Sequence, residues 1–337
     1  FVNISWKKRL LGYGKTLIFP LLMWLLFAAA ALIAGKSYFF SAYITSNIFR
    51  GSVLSCIVGL AIAIPLSGGR WDFAPGTIAT LGGIIGINLG TQWGLGVFGV
   101  LFLCIAACVV LALLEAAAYL LLRVPNMIVS LGVVMVYEAL TGILFGGNGA
   151  NIFNVSADYA DNLLTLSRAP WCYVLLAAVM LVLYFLLYKT RFGSNLKSLG
   201  NNARLAINAG VNEKVNIVLT YVVVGVLLGI AALLNACNSQ ITAASNLSST
   251  TLMFSSMGPV LIGLFLANYS SMPWGLFMGS LGMSVITYGL TSFGIDGAIV
   301  TIITGAIIVL IMAYTTNQAK IVALFGRLVR RGGKEPV

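Results

Sequence analysis

The chain has 337 residues, 60% of them hydrophobic and 8% charged, with a formal net charge of +11 and no histidine. A soluble domain carries about 25% charged residues, so this composition excludes water as the main solvent and points to helices embedded in a bilayer. The apolar runs are continuous rather than alternating, which excludes a membrane β-barrel.

A helix crosses the hydrocarbon core in about 20 apolar residues. Ten apolar runs are predicted as spans: 17–35, 53–66, 77–89, 96–122, 127–145, 171–187, 215–236, 257–266, 274–291 and 298–314. The expected fold class is all-α, a polytopic helical membrane protein. Residues 1–16 would form a cytoplasmic segment, 17–314 the membrane domain and 315–337 a cytoplasmic tail. The run from Leu17 is too long for a signal-peptide core and is expected to remain as the first span. Three runs, 53–66, 77–89 and 257–266, fall short of about 17 residues and adjoin Gly, Pro or polar residues. Short broken helices of this kind line cavities in transport proteins, and the break is expected near 66–77.

Most Lys and Arg residues stand in three clusters beside apolar runs: Lys7, Lys8, Arg9 and Lys15; Lys189, Arg191, Lys197, Arg204 and Lys214; Lys320, Arg327, Arg330, Arg331 and Lys334. Juxtamembrane basic residues mark the cytoplasmic side, so both termini and the loop 189–214 are read as cytoplasmic. The loop 146–169, with Asp158, Asp161 and Arg168, is read as external. Parity agrees, with six runs before the central basic loop and four after it. This placement argues for a lipid bilayer as partner and against nucleic acid. No Lys or Arg falls inside a predicted span.

The chemistry is sparse. All five cysteines (Cys56, Cys104, Cys108, Cys172, Cys237) lie in apolar runs without a metal-ligand spacing, so no metal and no cofactor is expected. Gly12-Tyr13-Gly14-Lys15-Thr16 is the nearest approach to a phosphate loop, but Arg9 stands where its first glycine belongs. With no catalytic constellation either, the chain is not expected to be an enzyme, and any use of ATP requires a partner subunit. Glu115 and Glu138 are the acids predicted within spans, where a carboxylate faces the bundle interior. Glu138 is open to two readings, a pathway group or an interhelical hydrogen bond, and Glu115 stands eight residues before Arg123, toward the cytoplasmic end.

Three motifs carry more. Ser67-Gly68-Gly69-Arg70-Trp71-Asp72-Phe73-Ala74-Pro75-Gly76 sets a glycine break before a helix, with Asp72 placed to cap it. Trp71 and Asp72 are alternatively substrate contacts. Leu122-Arg123-Val124-Pro125-Asn126 is a cytoplasmic turn with proline at a helix start. The third motif runs from Thr190-Arg191-Phe192-Gly193 through Leu199-Gly200-Asn201-Asn202 to Ala206–Val211. In this order the three resemble the permease subunits of ribose-type sugar ABC importers, within the branched-chain amino-acid and sugar permease superfamily. Thr250 to Gly263 departs from that pattern, lacking the acid that sugar permeases often carry there.

The resemblance implies a plasma (inner) membrane permease that works with ABC ATPase subunits at the cytoplasmic face, an extracytoplasmic solute-binding protein and a second permease copy or homologue. It further implies a coupling helix containing Gly200, Asn201, Asn202, Ala203, Arg204, Ala206 and Gly210. Scarce intramembrane charge favours a small neutral polar cargo, most simply a monosaccharide, with nucleosides as the alternative within the class. Candidate pathway residues are Trp71, Asp72, Tyr137, Glu138, Asn235, Asn238 and Gln240. An ion-coupled secondary transporter using Glu138 is the competing reading. The basic clusters place Ser198 inside and Asn162 outside. A cysteine at 162, but not at 198, should react with an impermeant thiol reagent applied to intact cells, and labelling at 198 would overturn this topology.

Overall fold

The computed structural model describes residues 6–310 except 36, 123 and 155, together with 313 and 317. The tail predicted at 315–337 lies outside the described residues but for Asn317. The chain is helical from end to end: α1 (Trp6–Thr16), α2 (Ile18–Ile33), α3 (Ala42–Ser67), α4 (Pro75–Gln92), α5 (Val97–Leu122), α6 (Asn126–Ile143), α7 (Ala157–Leu164), α8 (Trp171–Lys189), α9 (Arg191–Asn201), α10 (Ala203–Asn208), α11 (Glu213–Asn238), α12 (Thr251–Ala267) and α13 (Met272–Ser292), followed by α14 (Gly297–Leu310).

Each predicted apolar run coincides with a helix, the last as far as it is described. Among the described residues seven helices have the length and hydropathy of a membrane span, fewer than the ten predicted; α4 and α13 are long but less apolar, and α14 is shorter. The three short helices are corrected. Residues 53–66 belong to the 26-residue α3, 77–89 to the 18-residue α4 and 257–266 to the 17-residue α12. Polar residues had truncated the apolar reading, notably Thr45, Asn47 and Arg50 in the first turns of α3, whereas a helix satisfies its own backbone whatever its side chains are. It follows that the membrane-length α3 does contain a cation, Arg50, contrary to the sequence reading. The break itself is present, with residues 68–74 non-helical between α3 and α4.

α3 and α11 form the centre: 72% of each span is buried, against 33% of α5 and 28% of α8. α11 packs along α5, which also packs on α4, while α3 contacts α11, α12 and α13. The exposed faces of α5 and α8 carry Phe98, Phe102, Leu114, Leu181 and Phe185, as lipid contact requires. Apolar burial gives little driving force between helices in lipid, so close backbone approach matters more. A Cβ on Gly86 would sit 2.5 Å from the Cys104 backbone nitrogen, and one on Gly229 would run into Ile105 Cα.

Tertiary bonds sort the connections to two ends of the bundle. At one end Trp274 Nε1 donates to Thr16 Oγ1 (3.0 Å), the Met272 N–H to Tyr188 Oη (2.9 Å) and Asn216 Nδ2 to the Phe192 carbonyl (3.3 Å). At the other, Ala150 and Ile241 pair as an antiparallel bridge, and Asn88 Nδ2 donates to the Gly149 carbonyl (2.9 Å). The described basic loop 189–214 and the acidic loop 146–169 therefore lie at opposite ends. Replacing Gly229 by alanine forces α5 and α11 apart, and detergent-solubilised G229A should lose about 1–3 kcal/mol of stability, read as a lowered Tm. An unchanged Tm would show that the two helices are not held at this spacing.

Candidate functional site

Three polar constructions stand out in the apolar bundle. The first is the hairpin α9–α10. α9 buries Phe192, Leu196 and Leu199, a helical i, i+4, i+7 stripe. Its cationic Lys197 lies over the Tyr188 ring, 3.9 Å from the centroid. Asn202 is extended (φ −158°), ending α9 and starting α10 by accepting the Leu205 N–H at 3.1 Å; Asn212 starts α11 likewise, accepting from Val215 at 3.2 Å. Gly200 abuts the Ser67 carbonyl at the end of α3, a contact that any Cβ would obstruct. Asn201, Asn202, Ala203, Arg204 and Gly210 are exposed, while Ala206 is turned inward at 5% exposure. The sequence reading passed over Leu205 and Ile207, exposed at 66% and 46%. Two large apolar side chains on the six-residue α10 were the available signal.

The second construction is the break. Asp72 Oδ1 accepts the Ala74 N–H (2.8 Å) just before Pro75 opens α4, so the carboxylate does meet a free backbone donor at that helix start. The Trp71 carbonyl accepts from Asn126 Nδ2 (2.8 Å), whose Oδ1 accepts from Tyr221 Oη (3.0 Å). Buried Arg70 donates to Thr220 Oγ1 (3.3 Å), and Thr220 in turn donates to the Asn216 carbonyl (2.7 Å). The break is thereby tied to α6 and α11 and, through Ser67 and Gly200, to the hairpin. Glu115, fully buried on α5, is turned toward Asp72.

The third construction is a carboxylate clamp. After α11 the chain runs non-helically through 239–247, and Glu138 holds its lower part. Glu138 Oε2 accepts the Leu247 N–H (2.8 Å); Oε1 accepts the Ser249 N–H (2.9 Å) and hydroxyl (2.6 Å). One turn on, Thr141 Oγ1 accepts the Ala244 N–H (2.9 Å). Ser249 Oγ also meets Thr77 Oγ1 at 2.6 Å, joining the segment to α4. Asn246 and Leu247 are held at φ 54° and 62°, a left-handed conformation that costs on the order of 1 kcal/mol or more per residue. Of the two readings of Glu138, this geometry is that of a hydrogen-bonding post, with two backbone N–H groups and the Ser249 hydroxyl as its donors. Adjacent Tyr137 donates to the Leu111 carbonyl (2.8 Å), pinning α6 to α5.

The seven candidate pathway residues thus fall in three places: Trp71 and Asp72 at the break, Tyr137 and Glu138 at the clamp, and Asn235, Asn238 and Gln240 at the far end of α11. Asn238 and Gln240 are exposed and Asn235 is half-buried; Asn238 shares a crevice with Arg50, Ser167 and Cys172. Arg50 donates to Ser167 Oγ (3.3 Å). Among the described residues no three His, Cys, Asp or Glu side chains come together as metal ligands.

Removing the clamp orphans the buried Ser249 N–H, at a cost on the order of 1–3 kcal/mol, and the more exposed Leu247 N–H. Glu138→Ala should lower the Tm more than Glu138→Gln, which keeps one acceptor oxygen for these donors. Equal stability of both variants and the parent would remove Glu138 from this structural role.

A family model described as "Branched-chain amino acid transport system / permease component" matches residues 44–312. The galactose/methyl galactoside import permease protein MglC of Escherichia coli (strain K12) is 25% identical over 325 residues, 91% of this chain and 96% of the relative. The autoinducer 2 import system permease protein LsrD of Klebsiella pneumoniae is 26% identical over 274 residues, covering 79% of this chain and 81% of the relative. Among solved structures, an inward-facing ABC transporter of metal-chelate type superposes with a TM-score of 0.50 at 15% identity, covering 94% of this chain and 99% of that one, a likeness of fold. With more than half of its length matched, the chain belongs to the family of branched-chain amino acid transport system permease components.

Proposed function

We propose that this permease is the membrane subunit of an ATP-binding-cassette importer whose cargo is a small neutral polar solute, foremost a monosaccharide. The observation that carries the coupling part is the hairpin α9–α10. It projects Arg204, Leu205 and Ile207 from the basic end of the bundle, and its Gly200 bears on the Ser67 carbonyl, where α3 gives way to the break. A force applied to the hairpin by an ATPase subunit therefore reaches the break through direct backbone contact. Docking is by Leu205 and Ile207 in an apolar groove of the partner, with Arg204 at the rim. The other partners are an extracytoplasmic binding protein, which delivers solute at the end bearing loop 146–169, and a second permease copy; both termini are cytoplasmic.

The cargo class rests on the relatives: those across most of this chain are named for import of galactose, methyl galactoside and autoinducer 2.

Reconstituted with its ATPase subunits and binding protein, the chain should take up labelled galactose on addition of ATP, in competition with other neutral sugars. Purified alone it should hydrolyse no ATP. Leu205→Asp puts a charge into an apolar contact and should reduce uptake by about ten-fold or more without lowering the Tm of the isolated chain. Undiminished uptake in L205D would remove the hairpin from the interface, and saturable uptake of an anion or amino acid, uncompeted by any sugar or nucleoside, would reject the cargo class.

A further inference from the structure

The surface of this bundle is of two kinds. On α5 and α8 the exposed side chains are those of lipid contact, such as Phe102 at 69% and Leu181 at 70%. On the segment from 240 to 251 they are instead mostly polar, Gln240, Thr242, Ser245, Asn246, Ser248 and Thr251, with Leu247 at 43% among them. Gln240, Thr242, Asn246 and Thr251 have no side-chain hydrogen bond to protein among the described residues.

This segment does not lie on an outer rim. It starts at Ile241, paired with Ala150 beside the far end of α4, where Asn88 holds Gly149. It ends at Ser249, hydrogen-bonded to Thr77 in the first turn of α4. Measured along α4 from Asn88 to Thr77, the chain descends about 16 Å into the bundle, at 1.5 Å per helical residue. Non-helical backbone and free hydroxyls at such depth are incompatible with hydrocarbon and persist only against water or protein. Glu138, Thr141 and Thr77 hold the segment from behind, which turns its free side chains outward.

The stripe continues past the helix start. Phe254, 50% exposed on the first turn of α12, stacks at a tilt on Phe73 (6.3 Å), and Phe73 on Trp71 (6.3 Å). Trp71 is half-buried, its indole N–H turned inward away from the surface, and its carbonyl is held by Asn126 at the start of α6, close to the hairpin end. A strip of hydroxyls and amides followed by aromatic faces thus runs from one end of the bundle toward the other, bearing no charge.

Resting on the reading of this chain as an importer subunit, we infer that the face formed by residues 240–251, Phe254, Phe73 and Trp71 is its wall of the translocation pathway, built to pass an uncharged, hydroxyl-bearing solute. Hydroxyls and amides exchange hydrogen bonds with such a cargo as water does, and aromatic faces receive its C–H surfaces. Each contact is weak enough to release it. The clamp at Glu138 makes the wall by keeping the segment extended where a helix would have closed its own hydrogen bonds.

The test is thiol accessibility in the reconstituted importer. The five native cysteines are buried, so the parent protein gives the background. Single cysteines at Thr242, Ser245 and Thr251 should react with a charged methanethiosulfonate at least about ten-fold faster than cysteines at lipid-facing Phe102 and Leu181, because the reagent enters water and not hydrocarbon. Saturating galactose with the binding protein should slow the reaction. Rates no faster than at Phe102 would overturn the inference and mean that a second copy or lipid covers the strip. The labelling contrast does not depend on which solute is carried, so failed galactose uptake would reject the sugar reading while leaving this result standing. Fast labelling that no neutral sugar slows would keep the wall and reject the cargo class drawn for it.

Discussion

Peptide groups that leave a helix inside an apolar bundle must find partners in the protein, since lipid offers none. In this permease the clearest solution is the Glu138 carboxylate, which takes three donors from Leu247 and Ser249 while Thr141 takes a fourth from Ala244. These bonds fix where the chain turns from its extended descent into α12, and they hold two residues in the left-handed region that no local preference would select. Because Ser249 is also bonded to Thr77, the start of α12 and the start of α4 are set by the same cluster. A negative charge suits this place: it accepts several N–H groups at the mouth of a helix, where donors are in surplus.

The break between α3 and α4 follows the same rule with different residues. Asp72 serves one donor, Asn126 one acceptor, and Arg70 reaches Thr220 on α11. The Asn126 and Arg70 bonds end on different helices, so the break cannot move without shifting α6 or α11. Gly200 presses on its first carbonyl, which joins this network to the hairpin at the basic end. The result is a short mechanical route from an exposed apolar hairpin to the non-helical middle of the bundle. Of the seven membrane-length helices, α3 and α11 are the most buried over their most apolar stretches.

Much was legible in the sequence. Hydropathy located α2 to α6, α8 and α11 to α14, while α1, α7, α9 and α10 fall outside the apolar runs, and the glycine break fell where expected. Asn202, in the third motif, caps α10, a role its residue type favours at a helix start. Helix lengths were less legible, because a hydropathy run stops at Thr45, Asn47 and Arg50 while α3 does not. The direction of the hairpin's side chains was less legible for a related reason: the position of Ala206 on α10 turns it inward and exposes Leu205. Residue type says what a contact can tolerate, and helix phase says which way it faces.

Composition and the local pattern of apolar and basic residues were sufficient for membrane residence, helix placement and the segregation of loops, since each depends on residues near one another in the chain. The role of Glu138 was beyond their reach. Its partners stand 109 and 111 positions away, and Thr77 meets Ser249 across 172. No periodicity or motif records such pairings; packing decides them by bringing α4, α6 and the segment before α12 to one place. The polar strip owes its meaning to the same packing, for Thr242 and Asn246 resemble any loop residues until the structure sets them beside the body of a buried helix.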